Sequence, residues 1–275
     1  MKKVLAVSGG IDSVVMLHML RNNPDVIVAH FNHGIRPNSN EDCVFVERLA
    51  ALYGLPFFAK HAKLGANCSE ETARIARYDF LKSLAKEQNG QIYTAHHRDD
   101  LVETVIINCL RGTGWRGLAP LHNPDIVRPL IQMSKKDIYQ YAAKHDLSFR
   151  EDQTNSDDSY LRNRVRFKLQ TVPESDKAKI AELAFRQREL ATEIDTLLSE
   201  LVINANHSRE LFRQDDPVSR ELLRYILGQQ GISLTRPQLN RAINAICTFA
   251  PGKRYSLDKN HFLKINKYYF QIEIC

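Results

Sequence analysis

The 275-residue chain lacks the features that mark several large classes of protein. Its five cysteines are odd in number and far apart, which indicates neither a disulfide framework nor a C-x-x-C metal or redox site. No apolar run approaches the roughly 18 residues that span a bilayer, and Met1-Lys2-Lys3 leads into too few apolar residues for a signal peptide. Repeats and low-complexity segments are also absent from the sequence. We therefore expect a globular, soluble and cytoplasmic protein.

The charge balance gives a weak indication of the partner. Lysines and arginines number 38 against 32 aspartates and glutamates, and the isoelectric point is about 9.0. This balance favours a polyanion such as nucleic acid, although many basic enzymes bind none. With 43% hydrophobic residues, the chain can bury a full core and still form a second, smaller unit.

The start of the chain predicts a phosphate-binding loop. A short apolar strand, Val4–Val7, leads into Ser8-Gly9-Gly10-Ile11-Asp12-Ser13 and then into a helix-periodic run. Adjacent glycines permit positive φ and bring bare N–H groups close to an oxyanion, and Asp12 or Ser13 can open the following helix. The turn contains no lysine, which excludes a Walker A loop. An ordinary tight turn between strand and helix is the alternative.

Alternation of strands and helices predicts an α/β fold with a doubly wound, mostly parallel, Rossmann-like sheet. Further strands are expected at Val26–His30, Pro56–Lys60 and Gln91–Ala95. Ligands of such sheets bind at the carboxyl ends of the strands. Three polar segments follow strands there, which predicts one shared pocket; they are Ser8–Ser13, His30–Arg36 and His96–Glu103.

We expect three regions along the chain. Residues 1–172 form the catalytic domain, residues 173–205 a long helical linker, and residues 206–275 a small α+β C-terminal domain. The last region contains two helical patterns followed by three short strand-like segments.

Two imidazoles and three carboxylates crowd the start of a predicted helix in His96–Glu103. A protein-ligated zinc site is disfavoured, because adjacent histidines at a strand end point to opposite sides and the H-E-x-x-H spacing is missing. One of Asp99 and Asp100 can complement the helix N-terminus. The other is then available to bind an ammonium group, to bind magnesium or to accept a proton.

Two groups of cations are candidate anion-binding sites. Arg74 and Arg77 lie almost on one side of a predicted helix, where a guanidinium can hold a phosphate, although a solvated charged face also explains Arg77. Four cations fall within seven residues, Arg162, Arg164, Arg166 and Lys168. They repel one another unless an anion compensates them, and we expect RNA backbone or pyrophosphate; a solvated helix face is the alternative.

Together, the motifs resemble those of the tRNA(Ile)-lysidine synthetases, a family within the N-type ATP pyrophosphatase, or PP-loop, superfamily. SGGxDS at Ser8–Ser13 specifies only the superfamily, whereas the ordered set is far more specific and covers about residues 4–168. Leu101 is a departure, since many members have Gln there. Besides the segments above, the set includes Glu70-x-x-Ala73-Arg74-x-x-Arg77-Tyr78, Arg111-Gly112-Thr113-Gly114-x-x-Gly117-Leu118, Arg128-Pro129-Leu130, Glu151-Asp152-x-Thr154-Asn155 and Arg162-Asn163-x-Val165-Arg166.

The resemblance implies a carbon–nitrogen ligase. ATP adenylates O2 of cytidine 34 in the CAU anticodon of tRNA(Ile), and the ε-amine of free L-lysine then displaces AMP to form lysidine. The implied cofactors are ATP and Mg²⁺ with no dedicated protein metal site, and the partners are tRNA(Ile) and L-lysine; a homodimer is compatible with this. The C-terminal domain is expected to contact tRNA.

The same resemblance assigns roles to individual residues. ATP binding is expected at Ser8, Gly9, Gly10, Ile11, Asp12, Ser13 and His33. Catalysis is expected of Asp12, Arg74, Asp99 and Asp100, and lysine binding of Asp100 and Glu103. tRNA binding is expected at Arg162, Arg164, Arg166 and Lys168.

Three other functions compete with this one. RNA thiolation generally needs a catalytic cysteine pair or an iron–sulfur site, which the scattered cysteines do not offer. An ammonia-using ligase such as NAD synthetase shares SGGxDS but leaves the basic cluster at 162–168 unexplained. A non-catalytic RNA-binding module would not need the intact acids Asp12, Asp99, Asp100 and Glu103.

Overall fold

A computed structural model describes residues 1–34, 39–62, 65, 68–121, 123, 125–150, 161–205, 207–213 and 216–274. The chain divides into two compact units, Met1–Arg188 and Glu189–Cys275. Each unit is described by itself below. Within the described residues, no helix combines the length and the apolar character needed to cross a membrane.

A five-stranded sheet forms the centre of the first unit. Its strands are β1 (Lys2–Ala6), β2 (Val26–Asn32), β3 (Phe57–His61), β4 (Gly90–Tyr93) and β5 (Ile126–Val127). They pair in the order β3-β2-β1-β4-β5, and every pair is parallel. The expected doubly wound parallel sheet is thereby confirmed. The chain reverses its direction of winding between β1 and β4, which is where such sheets bind ligands.

The helices that follow the strands are α1 (Ile11–Leu20), α2 (Ser39–Leu52), α3 (Glu70–Glu87), α4 (Arg98–Leu110), α5 (Lys135–Lys144), α6 (Leu161–Leu169) and the long α7 (Glu174–Ala205), which continues into the second unit. Helices α1, α2 and α5 pack on one face of the sheet and α3 on the other, while α4, α6 and α7 share a separate apolar cluster. Alternate residues of a strand point to opposite faces. Leu5 accordingly packs in one core with α1, α2 and α5, while Val4 packs in another with Leu81 and Leu84 of α3.

The second unit contains α8 (Asp216–Gln229), α9 (Arg236–Thr248) and an antiparallel sheet of β6 (Arg254–Ser256), β7 (His261–Ile265) and β8 (Phe270–Ile274). One of its basic side chains has a structural role. Arg209 donates to the carbonyl oxygens of Ile246 at 2.6 Å and Phe249 at 2.9 Å. These carbonyls lie at the C-terminus of α9, where no intrahelical donor remains for them.

Candidate functional site

The Ser8–Ser13 loop depends on one glycine for its backbone and on the other for open space. Gly9 has a φ of +95°, and a Cβ at this position would lie 3.4 Å from Phe45 and 3.5 Å from Val46. Gly10 has a φ of −71°, which any residue adopts, and a Cβ there would meet only Ser8 Oγ, at 3.6 Å. The expectation that both glycines provide positive φ is therefore wrong for Gly10.

Ser13 holds the loop together from inside the first turn of α1. Its Oγ accepts hydrogen bonds from the amides of Ser8 at 3.1 Å and Gly9 at 3.2 Å, and donates to the Gly10 carbonyl at 2.8 Å. The helix begins at Ile11 with Gly10 as its N-cap. Neither Asp12 nor Ser13 opens the helix, contrary to expectation, because the Ser13 hydroxyl binds back to the loop.

A cavity of about 590 Å³ lies beside this loop; we call it the loop cavity. All three polar segments expected at the strand ends contribute to its wall, as predicted. Ile11 instead packs into the core. The residues that line the cavity include Ser8, Gly10, Asp12, Ser13, His30, Asn32, His33, Asp42, Cys68, Arg77, Thr94 and His96.

The loop cavity is electropositive on the side of α3. The pKa of His96 falls to about 4, chiefly because the ring is buried, with Arg128, Arg74 and Arg77 lowering it further against the opposing effect of Asp100. The ring is thus neutral near pH 7. Arg74 and Arg77 also lie over the Tyr78 ring, at 5.1 Å and 5.6 Å from its centroid. An anion entering the cavity therefore meets the guanidinium of Arg77, which lines it, beside an uncharged imidazole.

On the other side of the strand ends, His97 lies among three carboxylates. Its Nε2 is 3.8 Å from Asp12 and 3.5 Å from Asp100, and its Nδ1 is 3.7 Å from Asp99. The Asp100 carboxylate accepts a hydrogen bond from the His97 amide at 3.0 Å. Burial alone would raise the pKa of Asp100, but the two histidines, this hydrogen bond and Arg162 outweigh it and lower the pKa. Asp100 is therefore a carboxylate near neutral pH.

Lys135 joins this group of acids, although no sequence motif singled it out. Its Nζ is 2.6 Å from Asp12, and its backbone amide donates to Asp99 at 2.7 Å. Lys135 is the first residue of α5, which Ser134 and Asp137 cap reciprocally, as their spacing suggests. The signal available in the sequence was a lysine directly after an N-cap serine.

Asp99 also has a second cationic neighbour. Lys177, only 8% exposed, lies 3.7 Å from Asp99 and 2.7 Å from Glu174. Glu174 in turn accepts from Arg98 at 2.6 Å. These contacts place Asp99 in a chain of alternating charges at the start of α7. Asp100 has a cationic neighbour of its own, since Arg162 lies 3.7 Å from it.

Glu103 is 3% exposed and carries the compensating charge for half of the basic cluster. It accepts hydrogen bonds from Arg166 at 2.7 Å and from Arg162 at 3.2 Å. Arg164 and Lys168 occupy the exposed part of α6. We expected RNA or pyrophosphate to supply the anion that compensates these arginines. For Arg162 and Arg166, the Glu103 carboxylate supplies it instead. An external ammonium can reach Glu103 only by displacing these arginines.

The remaining features of the sequence analysis concern Leu101, two segments outside the described residues and the ligands of a metal ion. Leu101, in the position where many relatives have Gln, is fully buried in an apolar cluster with Val102, Val165 and Leu169. Arg36 and the segment 151–155 lie outside the described residues. Among the residues that the structure describes, no group of three or more His, Cys, Asp and Glu side chains is arranged to hold a metal ion.

We call Asp12, Asp99, Asp100 and Glu103, with their cationic partners, the carboxylate network. It adjoins the loop cavity at Asp12, which belongs to both. A phosphate-type loop, an electropositive cavity and a set of carboxylates therefore meet at the carboxyl ends of β1, β2 and β4.

Known proteins resemble this chain in sequence. The chain is 30% identical over 98% of its length to the bifunctional protein TilS/HprT of Listeria monocytogenes, and 35% identical over 74% of its length to the tRNA(Ile)-lysidine synthase of Geobacter sulfurreducens. It spans 46% of each, so it covers about half the length of these curated relatives.

Solved structures agree on the fold. The U34-tRNA thiolase NcsA from Methanococcus maripaludis, which carries a [4Fe-4S] cluster, matches with a TM-score of 0.58 at 21% identity over 68% of this chain and 72% of that one. A family model described as the PP-loop domain matches residues 1–172. This match confirms the superfamily inferred from SGGxDS, and the chain belongs to the PP-loop domain family.

Proposed function

We propose that the chain is an ATP-dependent ligase that joins L-lysine to C2 of cytidine 34 in the CAU anticodon of tRNA(Ile), releasing AMP and pyrophosphate. The observation that carries the proposal is the shared edge of the sheet, where the Ser8–Ser13 loop and the carboxylate network meet at Asp12. The first side suits a polyphosphate and the second an amine. Two curated relatives named for this activity support it.

The loop cavity would activate the base. Cytosine O2 is a poor leaving group, so it first attacks the α-phosphorus of ATP; the bond to the β-phosphate breaks and pyrophosphate leaves. Charge builds on the departing pyrophosphate, which backbone amides at the start of α1 and the guanidinium of Arg74 can stabilise. The neutral His96 beside them adds no positive charge of its own.

Asp12 fits the expected magnesium ion. Mg²⁺ is usually held by one or two carboxylates together with substrate phosphates, and the Asp12 carboxylate lines the cavity where phosphates would lie. Asp99 and Asp100 are the other carboxylates near His97. When bound, Mg²⁺ would offset phosphate charge in the cavity.

The carboxylate network would handle the amine. The ε-ammonium of lysine, with a reference pKa of about 10.4, must lose a proton before it can attack. Asp100, kept as a carboxylate by its neighbours, can bind the ammonium and accept that proton. The free amine attacks C2, the bond from C2 to O2 breaks, and O2 leaves as part of AMP. Lysine binding by Glu103 stays a prediction. Because Glu103 is already paired with two arginines, we favour Asp100 as the group that binds lysine.

Helix α6 would contact tRNA through its exposed side. Arg164 and Lys168 point away from Glu103, and Phe167 between them is 66% exposed. Cations hold phosphates, and an exposed aromatic ring stacks on an unpaired base. Three expectations stay predictions: that the C-terminal region contacts tRNA, that the chain divides into residues 1–172, 173–205 and 206–275, and that it forms a homodimer.

Thiolation is the rival that the fold similarity raises. The described cysteines at positions 43, 68, 109 and 247 are all free thiols, and burial raises the pKa of Cys43 and of Cys247, which makes their thiols poorer nucleophiles. In the described part of the chain, none of them is joined to another by a disulfide. We therefore favour an amine as the nucleophile.

One assay separates the candidates. AMP release from ATP is measured with tRNA(Ile) carrying the CAU anticodon, with lysine, ammonia, a sulfur donor or no nucleophile. We expect turnover only with both tRNA and lysine. AMP formation that is independent of tRNA and lysine would refute the proposal.

A further inference from the structure

Lys135 is the residue from which a further role follows. The Ser8–Ser13 loop contains no lysine to reach a β- or γ-phosphate. The fold nevertheless brings an ammonium to this loop from α5, 123 residues away along the chain, with Nζ at 2.6 Å from Asp12. We propose that Lys135 binds the β- or γ-phosphate of ATP and pairs with Asp12 only while the nucleotide is absent. The inference rests on the ATP-binding part of the proposed function.

The backbone of Lys135 is fixed, so only its side chain needs to move. Its amide donates to Asp99 at 2.7 Å, and the Ser134–Asp137 capping box holds the turn that follows. Ile138, fully buried, anchors the same turn in the core of the sheet. A lysine side chain carries three rotatable donors on a flexible stem. Nζ can therefore exchange Asp12 for a neighbouring anion without any change in α5.

The exposure of the carboxylate distinguishes the pair between Lys135 and Asp12 from the arginine pairs of Glu103. The Asp12 side chain is 32% exposed and that of Lys135 is 35% exposed, whereas Glu103, which holds two arginines, is 3% exposed. An exposed ion pair is weak. A polyphosphate carries several negative charges and competes effectively with a single carboxylate for the ammonium. The pair between Lys135 and Asp12 thus has the accessibility that a ligand-exchanged contact needs.

Lys136 is a matched control on the same turn. It is exposed, and it lowers the pKa of its neighbour Asp137. It has the same side chain on the same helix and is more exposed to solvent than Lys135. A role that belongs to the loop cavity will distinguish the two lysines.

The test compares ATP with AMP. Dissociation constants of both nucleotides are measured by calorimetry, without tRNA or lysine and with and without Mg²⁺, for the native chain, Lys135→Met, Lys135→Arg and Lys136→Met. We expect Lys135→Met to raise the dissociation constant of ATP at least about tenfold and that of AMP less than about twofold, because AMP lacks the β- and γ-phosphates. Lys135→Arg should recover most of the affinity, and Lys136→Met should match the native chain.

Equal affinity for ATP in the native chain and Lys135→Met would overturn the proposal. An equal loss for ATP and AMP would also overturn it, since Lys135 would then act by shaping Asp12 and the loop. The binding test contains neither tRNA nor lysine, so it does not depend on the reaction that the chain catalyses. If Lys135→Met weakens the binding of ATP but not of AMP, and the native chain fails to transfer lysine in the AMP-release assay, the proposed function is refuted and this inference stands.

A measurement on the native chain covers the case in which Lys135→Met does not fold. Acylation of lysine amines by a water-soluble ester is followed by mass spectrometry with no nucleotide, with AMP and with ATP. ATP should protect Lys135 at least about fivefold and AMP should not, while Lys136 reacts equally in all samples. Unprotected Lys135 in saturating ATP would contradict the proposed contact.

Discussion

The two sides of the candidate site differ in how their charges are balanced. Beside the loop cavity, Arg74 and Arg77 lie close enough to His96 to lower its pKa, and Arg77 lines the cavity, so an incoming anion meets positive charge there. In the carboxylate network, Asp99 and Glu103 already pair with lysine and arginine side chains. Asp12, whose side chain is 32% exposed, is the acid of the network that is most open to a cation from outside, whereas Asp100 is 14% exposed and lies 3.7 Å from Arg162.

This difference teaches that the density of charged residues in the sequence does not identify the binding groups. Glu103 and two arginines of the basic cluster form an internal structure, while Asp12 connects both sides of the site. A buried pair of this kind specifies the position of α6 against α4 rather than adding large stability of its own. Substitutions should therefore divide into those that stop chemistry and those that loosen the fold.

Asp12→Asn should have the largest effect. It removes the carboxylate shared by the cavity and the network, so AMP formation is expected to fall at least about a thousandfold with little change in the thermal midpoint. AMP is quantified by chromatography under saturating ATP. Asp25→Asn, an exposed acid paired with Lys2, is the control and should keep native activity. A loss of less than tenfold in Asp12→Asn would remove Asp12 from the chemistry.

Glu103→Ala should act mainly on stability. It leaves two guanidinium groups without their carboxylate, at a cost on the order of 2–3 kcal/mol, reduced from that of a fully buried pair because both arginines are about one-third exposed. Urea unfolding of Glu103→Ala, Arg166→Met and the double variant measures this. We expect the double variant to be less destabilised than the sum of the single variants. Strict additivity would show that the pair is not coupled.

The two glycines of the loop should separate folding from binding. Gly9→Ala is expected to lower the free energy of unfolding by about 1–2 kcal/mol, because an alanine is strained at a φ of +95°. Gly10→Ala should change the free energy of unfolding by less than about 0.5 kcal/mol, since the added Cβ would meet only Ser8 Oγ, at an ordinary contact distance of 3.6 Å. Gly10→Ala should still weaken the binding of ATP, because the phosphates are expected to approach this backbone closely. Native ATP affinity in Gly10→Ala would place the phosphates elsewhere.

The basic helix should show the smallest effect. Arg164→Ala and Lys168→Ala are each expected to weaken tRNA binding severalfold and to reduce the slope of log affinity against log salt concentration by about 0.7–0.9. Arg162→Ala should destabilise the fold and leave the salt slope closer to native, since Glu103 holds its charge. Filter binding at several salt concentrations provides the slopes. Equal slopes in all three variants would mean that Arg162 contacts tRNA phosphates to the same extent as Arg164 and Lys168, which would contradict the proposed division of α6 into an internal and a tRNA-contacting side.

The sequence predicts the sheet well because its signals are local. Apolar strands alternate with helices, and polar residues follow the strands, so the shared pocket at Ser8, His33 and His96 is foreseeable. Strand β5 is two residues long and too short for a periodic pattern. Without it, the approach of α5 to the loop is hidden, and Lys135 is missed for that reason.

The internal pairs escape prediction for a similar reason. Glu103 and Arg166 are 63 residues apart, and their contact depends on how α4 and α6 pack. The burial of Leu101 depends on the same packing, which places it against Val165. Spacing along the chain shows which groups can bind a charge, whereas packing decides which of them already have a partner.

The central claim is that the loop cavity activates the base and the carboxylate network delivers the amine, and Asp100→Asn tests it most directly. Asparagine can still accept the hydrogen bond from the His97 amide, but it has no negative charge with which to attract an ammonium group and cannot take its proton. With ATP labelled at the α-phosphate, rapid quenching first follows the adenylation of tRNA without lysine, and a chase with lysine then follows AMP release. The account predicts adenylation within about fivefold of the native rate and lysine transfer slowed at least about a hundredfold. Equal slowing of both steps would contradict it.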